Sequence, residues 1–131
     1  MSAPQELDPH SPRDPGYRVP RITAEICAAR PIHLALIDGV ESIAGGEGPW
    51  NPGVRPVKPG LLIAGLNPVC TDAVATAAMG LDPRAGRGSG TFPDCDNTLL
   101  LAEKLGVGSA DLRRIDVRGV PLAEARFPFP T

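Results

Sequence analysis

Three carboxylates stand near the ends of two apolar segments, where such side chains could do chemistry. Asp38 directly follows the apolar run at residues 32–37, and Glu47 lies further along the same connection. Asp72 falls in the first turn of a predicted helix, just after a second apolar run at residues 61–64. If both runs are strands that end at the same edge of a sheet, these side chains converge, because ligands of α/β proteins bind outside the carboxyl ends of strands. Carboxylate oxygens suit Mg²⁺ or Ca²⁺, and they also suit acid–base chemistry.

The same carboxylates also have a purely structural interpretation. Asp38 precedes a glycine and fits a residue that caps a turn, while Glu41 and Glu47 fit solvated charges of a loop. Asp72 fits a charge that complements the helix dipole. The pattern leaves both interpretations open, with Asp38, Glu47 and Asp72 as the candidate metal ligands.

The two apolar runs are expected to lie in the middle of a sheet. Both contain almost no polar residues, which is typical of strands that are buried on both faces. The 22 residues from 39 to 60 hold six glycines and four prolines, a composition that excludes a crossover helix. A structureless connection of this length is uncommon and is usually functional or mobile. We expect a long loop over the candidate site, with Trp50 anchoring it to the core.

Helix signals flank these strands. Asn67 and Pro68 form a strong helix start, and Gly80 a stop, for a helix over residues 69–79 whose alanines predict close packing on the sheet. Further predicted elements are an amphipathic helix over residues 21–29, a helix from about residue 98 to 104, and a half-exposed strand over residues 115–118. Residues 1–20 hold five prolines and are predicted to form an N-terminal tail.

The composition predicts one small α/β domain over residues 21–131. We expect a sheet of three to four strands with two to three helices packed on it. The formal net charge of −2 argues against nucleic acid and anionic membranes as partners. Cys27, Cys70 and Cys95 are odd in number and far apart, which argues against disulfides and against iron–sulfur ligation. Reduced thiols and a cytoplasmic location are therefore expected.

Three longer stretches resemble a known family. These are LALIDGVESIAGGEGPW, VKPGLLIAGLNPVCTDAVATAAMGLDP and CDNTLLLAEKLGVGSADLRRIDVRGVPLAEARFPF. Together, over residues 22–129, they resemble the C-terminal half of the domain-of-unknown-function family numbered 362. The shared signature adds Gly39, Gly48 and Asn67 to the candidate ligand-binding residues, although the family often has Asp where this chain has Asn67.

The resemblance implies an uncharacterised bacterial or archaeal protein, and some relatives carry ferredoxin-like cysteine clusters. This chain has no such cluster, so that role does not carry over. Full-length relatives have a further N-terminal α/β half that this chain lacks. Two functions follow as expectations. The chain is either a ligand- or divalent-metal-binding domain of a redox-associated protein, or a non-catalytic fragment or assembly domain. In the second case, its thin sheet pairs with another chain, which is either a second α/β half or another copy.

Overall fold

The structure is a computed structural model that describes residues 15–129 apart from Glu47, Pro49 and Thr91. Its elements in chain order are α1 (Pro15–Ala29), β1 (Ala35–Gly39), β2 (Ser42–Ala44), β3 (Arg55–Val57), β4 (Leu61–Gly65), α2 (Pro68–Ala78), α3 (Thr98–Lys104), a 3₁₀ turn (Leu112–Arg114) and α4 (Leu122–Ala125). β1 pairs with β4 and β2 pairs with β3, both antiparallel, in two separate sheets. The predicted mixture of helices and strands is confirmed. The expected sheet of three to four strands is instead two sheets of two strands each, over the residues described.

The four strands form one bent hairpin. The first sheet ends at the pair Gly39–Leu61, and the second begins at the pair Ser42–Val57. Two residues therefore separate β1 from β2, whereas three separate β3 from β4. One extra residue on one side interrupts the ladder and bends it, as a β-bulge does.

Two contacts join the two sides of the hairpin at this bend. The Gly60 N–H donates to the Val40 carbonyl at 3.2 Å, and the Lys58 ammonium lies 2.6 Å from the Glu41 carboxylate. Gly60 has a φ of +69°, which favours glycine. The long loop expected over residues 39–60 is therefore largely the outer half of a hairpin. Strands of three residues interrupted by glycine and proline carry too little alternation to be recognised in the sequence.

Helix α1 begins at Pro15, although the prolines of residues 1–20 predict a tail. Pro20 lies inside this helix and has no N–H to donate to the Gly16 carbonyl. The Asp96 N–H donates to that carbonyl at 2.7 Å. The Gly16 carbonyl, which has no donor from Pro20, therefore connects α1 to the loop before α3. Gly16 lies so close to the Asp94 backbone that any side chain there would overlap it. The structure thus differs from the prediction at residues 15–20, and residues 1–14 lie outside the described part.

Helix α2 lies on the inner face of the first sheet, at the place that the sequence predicts. The Asn67 side chain caps it by accepting a hydrogen bond from the Cys70 N–H at 3.0 Å. Gly80, two residues past the end of the helix, has a φ of +83°. The helix approaches β4 closely, because a Cβ added to Gly65 would overlap the Thr71 hydroxyl. None of the described helices is long and apolar enough to cross a membrane.

The core is small and is built from small side chains. Its central cluster joins Ala24 of α1, Val69 of α2 and Ala102 of α3, with Leu99 and Val107 partly buried against it. Among the described residues, every buried hydrophobic residue is alanine or valine, and no large side chain is fully buried. Helices α1 and α3 therefore pack closely, but they enclose little apolar volume.

The C-terminal segment, residues 115–129, binds the C-terminal end of α2 through backbone hydrogen bonds. The Phe127 and Phe129 N–H groups donate to the carbonyls of Ala78 and Met79 at 2.7 and 2.9 Å. The two phenylalanine rings meet edge to face, with centroids 6.1 Å apart. The strand predicted over residues 115–118 is wrong, because these residues follow the 3₁₀ turn without pairing to any described strand.

Candidate functional site

The antiparallel pairing of β1 and β4 separates the two strand ends that the sequence analysis expects to meet. Asp38 lies opposite Leu62 near the start of β4, whereas the end of β4 lies opposite Ala35. The premise that both strands end at one edge of a sheet is therefore wrong. No group of three or more His, Cys, Asp or Glu side chains that could hold a metal ion occurs among the residues that the structure describes. Glu47, the third predicted metal ligand, lies outside them.

Asp38 and Gly39 lie beside a small cavity between the first sheet, α2 and the C-terminal segment. The Asp38 carboxylate accepts a hydrogen bond from the Val40 N–H at 3.1 Å, so it caps the turn after β1, as its structural interpretation predicts. The cavity has a volume of about 190 Å³ and is lined mainly by apolar side chains, including Ile63 and Phe129. It can take a small apolar group, and the Asp38 side chain lies at an exposed position of β1, on the side of the sheet away from α2.

Asp72 lies in the second turn of α2 rather than in the first, because the helix begins at Pro68. Its side chain is exposed, yet partial burial against the neighbouring protein raises the pKa of its carboxyl group above the usual value. A position beyond the first turn weakens its interaction with the helix dipole. Asp72 therefore takes no part in capping α2. It also has no oppositely charged partner among the ion pairs between described residues.

Asn67 lines a second cavity, of about 270 Å³, between the helices. Its side-chain Oδ1 caps α2, and its Nδ2 donates to the Val107 carbonyl at 2.6 Å. Gly108 approaches the Asn67 side chain so closely that a Cβ there would overlap it. Both polar side-chain atoms of Asn67 thus make hydrogen bonds within the chain. Of the predicted ligand-binding residues, Asp38 and Gly39 line one cavity and Asn67 lines the other. Gly48 and Asp72 line neither of these two cavities, so the structure does not bring the predicted site together.

The glycine-rich tip of the hairpin differs from its prediction. Trp50 is 72% exposed and its ring lies over Gly48, which it buries. A side chain on Gly48 would overlap that ring. Trp50 therefore stabilises the tip locally and does not anchor it in the core. Gly48 makes this contact possible because it has no side chain and leaves room for the Trp50 ring.

The most distinctive surface is the outer face of the first sheet, which the sequence analysis misses. Residues alternate along β1 and β4 between half-buried positions facing α2 and exposed positions on the other side. The exposed side carries Leu36 and Leu62, which are both 68% exposed. Leu34 and Leu66, just beyond the ends of these strands, are 65% and 82% exposed, and we call the four residues together the leucine face. The prediction of burial on both faces is wrong for the described chain, because only one helix layer covers this sheet.

A signal for this face is present in the sequence. Unbroken apolar strands require a layer on each side, and α2 is the described helix that packs on β1 and β4. The first sheet also has two open edges, since β1 and β4 each pair only with the other among the described strands.

Comparisons with known proteins place the chain in a family without assigning it a role. No curated protein matches it, and no solved structure matches it. A family model matches residues 2–77, which include the whole hairpin and all but the last residue of α2. This match covers more than half of the chain, and the chain therefore belongs to the family described as domain of unknown function (DUF362).

Proposed function

We propose that this chain is an assembly domain, whose leucine face is covered by another polypeptide layer in the working protein. The observation that carries the proposal is the exposure of Leu36 and Leu62 on one face of a two-stranded sheet, with two further exposed leucines just beyond the strand ends. Burying a leucine side chain contributes about 1.5–3 kcal/mol. An exposed cluster of this kind is typical of an interaction site.

The distribution of apolar residues supports the same function. The buried hydrophobic residues of the described chain are alanines and valines, whereas the four leucines of the leucine face lie at its surface. A two-stranded antiparallel ribbon is marginally stable alone and needs a packed face for independent stability. One face already packs on α2. A second layer on the opposite face would give the first sheet the arrangement that its apolar sequence predicts.

Site-specific photo-cross-linking in cells that carry the gene tests this proposal. A benzophenone amino acid replaces Leu36 in one strain and Val120, which is 58% exposed on the C-terminal segment, in a matched control strain. We expect a discrete adduct from position 36 and none from position 120. Equal adducts from both positions, or none from position 36, would contradict the proposal.

A second candidate is ligand binding beside Asp38, which the cavity of about 190 Å³ favours. In this function, Asp38 and Gly39 border the ligand. The version with Mg²⁺ or Ca²⁺ on Asp38, Glu47 and Asp72 loses its support, because Asp38 takes an outward position of the first sheet whereas Asp72 lies on α2, which packs on the opposite face. Thermal unfolding with each cation tests that version. We expect no rise in the melting temperature of the natural chain, and a rise that Asp38→Ala and Asp72→Ala each remove would show a shared metal site.

We also propose a cytoplasmic location. Cys27, Cys70 and Cys95 are unpaired thiols in the structure, a state that reducing compartments maintain. Reaction of all three with a thiol reagent in freshly lysed cells would support this location, and a disulfide-linked form would contradict it.

A further inference from the structure

The cavity of about 190 Å³ between the first sheet, α2 and the C-terminal segment has the size and the lining of a small-molecule site. Resting on the second candidate function, ligand binding beside Asp38, we propose that this cavity binds an uncharged aromatic compound of one or two rings. An apolar cavity of about 150 Å³ holds a benzene molecule, so this cavity has room for a ring system slightly larger than benzene.

The lining of the cavity favours an uncharged ligand. Its walls are mainly apolar side chains from the sheets, α2 and the C-terminal segment, among them Ile37, Ile63 and Met79. Asp38 is the ionisable residue of the lining, and it takes an outward position of β1, on the side away from α2. A charged ligand would therefore lose its hydration without gaining a charged partner on the α2 side of the sheet, which is costly. Ser42 adds one hydroxyl to the lining, enough to orient one polar atom of a ligand.

Three of the lining side chains favour an aromatic ligand over an aliphatic one. Phe127 and Phe129 both line the cavity, and their rings meet edge to face with centroids 6.1 Å apart. A third ring can join such a pair through an offset or edge-to-face contact, which an aliphatic molecule of the same size cannot make. Met79 adds a thioether, and sulfur also contacts aromatic rings favourably.

Alanines of α2 create the space for this ligand. Ala75 and Ala78 both line the cavity, and residues three apart lie on the same face of a helix. Protein interiors are closely packed, and a void forfeits the dispersion contacts of its walls. A ligand restores those contacts. The small side chains of α2 opposite the larger ones of the sheet therefore favour binding in this cavity.

Methyl NMR of the purified full chain tests the inference, with indole as the uncharged aromatic probe. Indole should shift the methyl signals of Ile63 and Met79 saturably, with a Kd of roughly 1 mM or lower. Val107 lines the other cavity, and its methyl signals should not shift. Benzylammonium, a charged compound of similar size, should bind at least about tenfold more weakly because its charge must be desolvated.

Two substitutions that fill the cavity should each weaken indole binding at least about tenfold, because they occupy the space of the ligand. Ala75→Leu fills it from α2. Ile43→Trp fills it from β2, where Ile43 lines the cavity and is 39% exposed, so this variant serves if Ala75→Leu does not fold. Ala77→Leu is the matched control, because Ala77 is a partly buried residue of the same helix that does not line the cavity, and it should leave binding unchanged. Circular dichroism checks that each variant is folded.

The outcomes separate this inference from the function on which it rests. If benzylammonium shifts the Ile63 and Met79 signals and indole does not, ligand binding beside Asp38 stands and the uncharged class is excluded. If indole shifts Val107 equally, or binds both cavity-filling variants as tightly as the natural chain, it does not occupy this cavity and the inference is overturned. If neither compound shifts Ile63 or Met79, the inference and the second candidate function both fall, whereas the assembly function does not depend on this cavity.

Discussion

The Asn67 side chain donates a hydrogen bond of 2.6 Å to the Val107 carbonyl, and this bond ties the two parts of the chain together. Asn67 belongs to the segment that the family model matches, whereas Val107 lies beyond its end at residue 77. The partly buried Val107 side chain also packs on the core cluster of Ala24, Val69 and Ala102. Residues outside the matched segment thus help to hold the helix that supports the hairpin.

The two roles of Asn67 can be separated by substitution. Asn67→Ser keeps a good N-cap but loses the bond to Val107, which should cost about 1 kcal/mol. Asn67→Ala loses the cap as well and should cost about 2–3 kcal/mol in all. Urea denaturation followed by circular dichroism measures both values. Equal stability of Asn67→Ser and the natural chain would show that the Val107 bond contributes nothing.

Gly65 allows α2 to approach the hairpin, so its substitution should be costly. In Gly65→Ala, the new methyl group overlaps the Thr71 hydroxyl, and overpacking of this kind costs about 1–3 kcal/mol. Thr71→Ala removes the overlapping atom, so Gly65→Ala should cost less in that background. Gly86→Ala is the matched control, since nothing lies within 4 Å of its added carbon, and it should be close to neutral. The same cost for Gly65→Ala in both backgrounds would refute the overlap.

Local signals in the sequence predict the helices well. Asn67 and Asn97 both cap helices through their own side chains, and Gly80 and Gly106 both adopt positive φ just after a helix. Each of these features depends on a few consecutive residues and on the orphan N–H and C=O groups of the helix ends. The start of α1 is one exception, because the Asp96 N–H, which is distant in sequence, takes the carbonyl that Pro20 cannot donate to. The 3₁₀ turn and the short helix α4 are others, since the sequence analysis predicts neither.

The sheet and the candidate site could be predicted only in part. The two apolar runs do lie side by side, but their composition does not specify whether they run parallel or antiparallel. That direction decides whether Asp38 and Asp72 share an edge, and it depends on the connection through β2 and β3. Burial of Leu36 likewise depends on which layers exist, which is a property of the whole assembly and not of the strand.

Asp111 should titrate well below the usual range of an aspartate. The Arg113 side chain binds its carboxylate through Nε at 2.9 Å and Nη2 at 2.7 Å, and the Arg113 N–H also donates to it. These bonds lower the Asp111 pKa to about 2. Because the folded-state pKa lies below the ordinary value of 3.8, the stabilisation is complete above that value and is lost as the pH falls toward about 2. Carboxyl-carbon NMR measures the titration directly.

Arg113→Ala should raise that Asp111 pKa toward its ordinary value while keeping the backbone hydrogen bond. Arg118→Ala is the matched control, because Arg118 pairs with Asp116 in the same spacing and does not contact Asp111. An unchanged Asp111 pKa in Arg113→Ala would assign the effect to the backbone alone.

Asn97 is a buried polar residue whose side-chain amide makes three hydrogen bonds. It is 4% exposed, its Nδ2 donates to the carbonyls of Pro83 and Ala85 at 2.8 and 2.9 Å, and its Oδ1 accepts from the Leu99 N–H. Asn97→Asp keeps the shape but places a carboxylate against two carbonyl oxygens in a buried site. We expect a loss of about 3 kcal/mol or more at neutral pH, measured by urea denaturation.

The loss in Asn97→Asp should shrink as the pH falls, because this burial raises the folded-state pKa of the new carboxyl group above its unfolded value. Protonation restores one donor and removes the charge, so the variant recovers stability below that raised pKa. Asn51→Asp, in the hairpin loop, is the matched control and should show neither the loss nor the recovery. A variant Asn97→Asp with a pH-independent deficit would show that packing, rather than charge, makes Asn97 necessary.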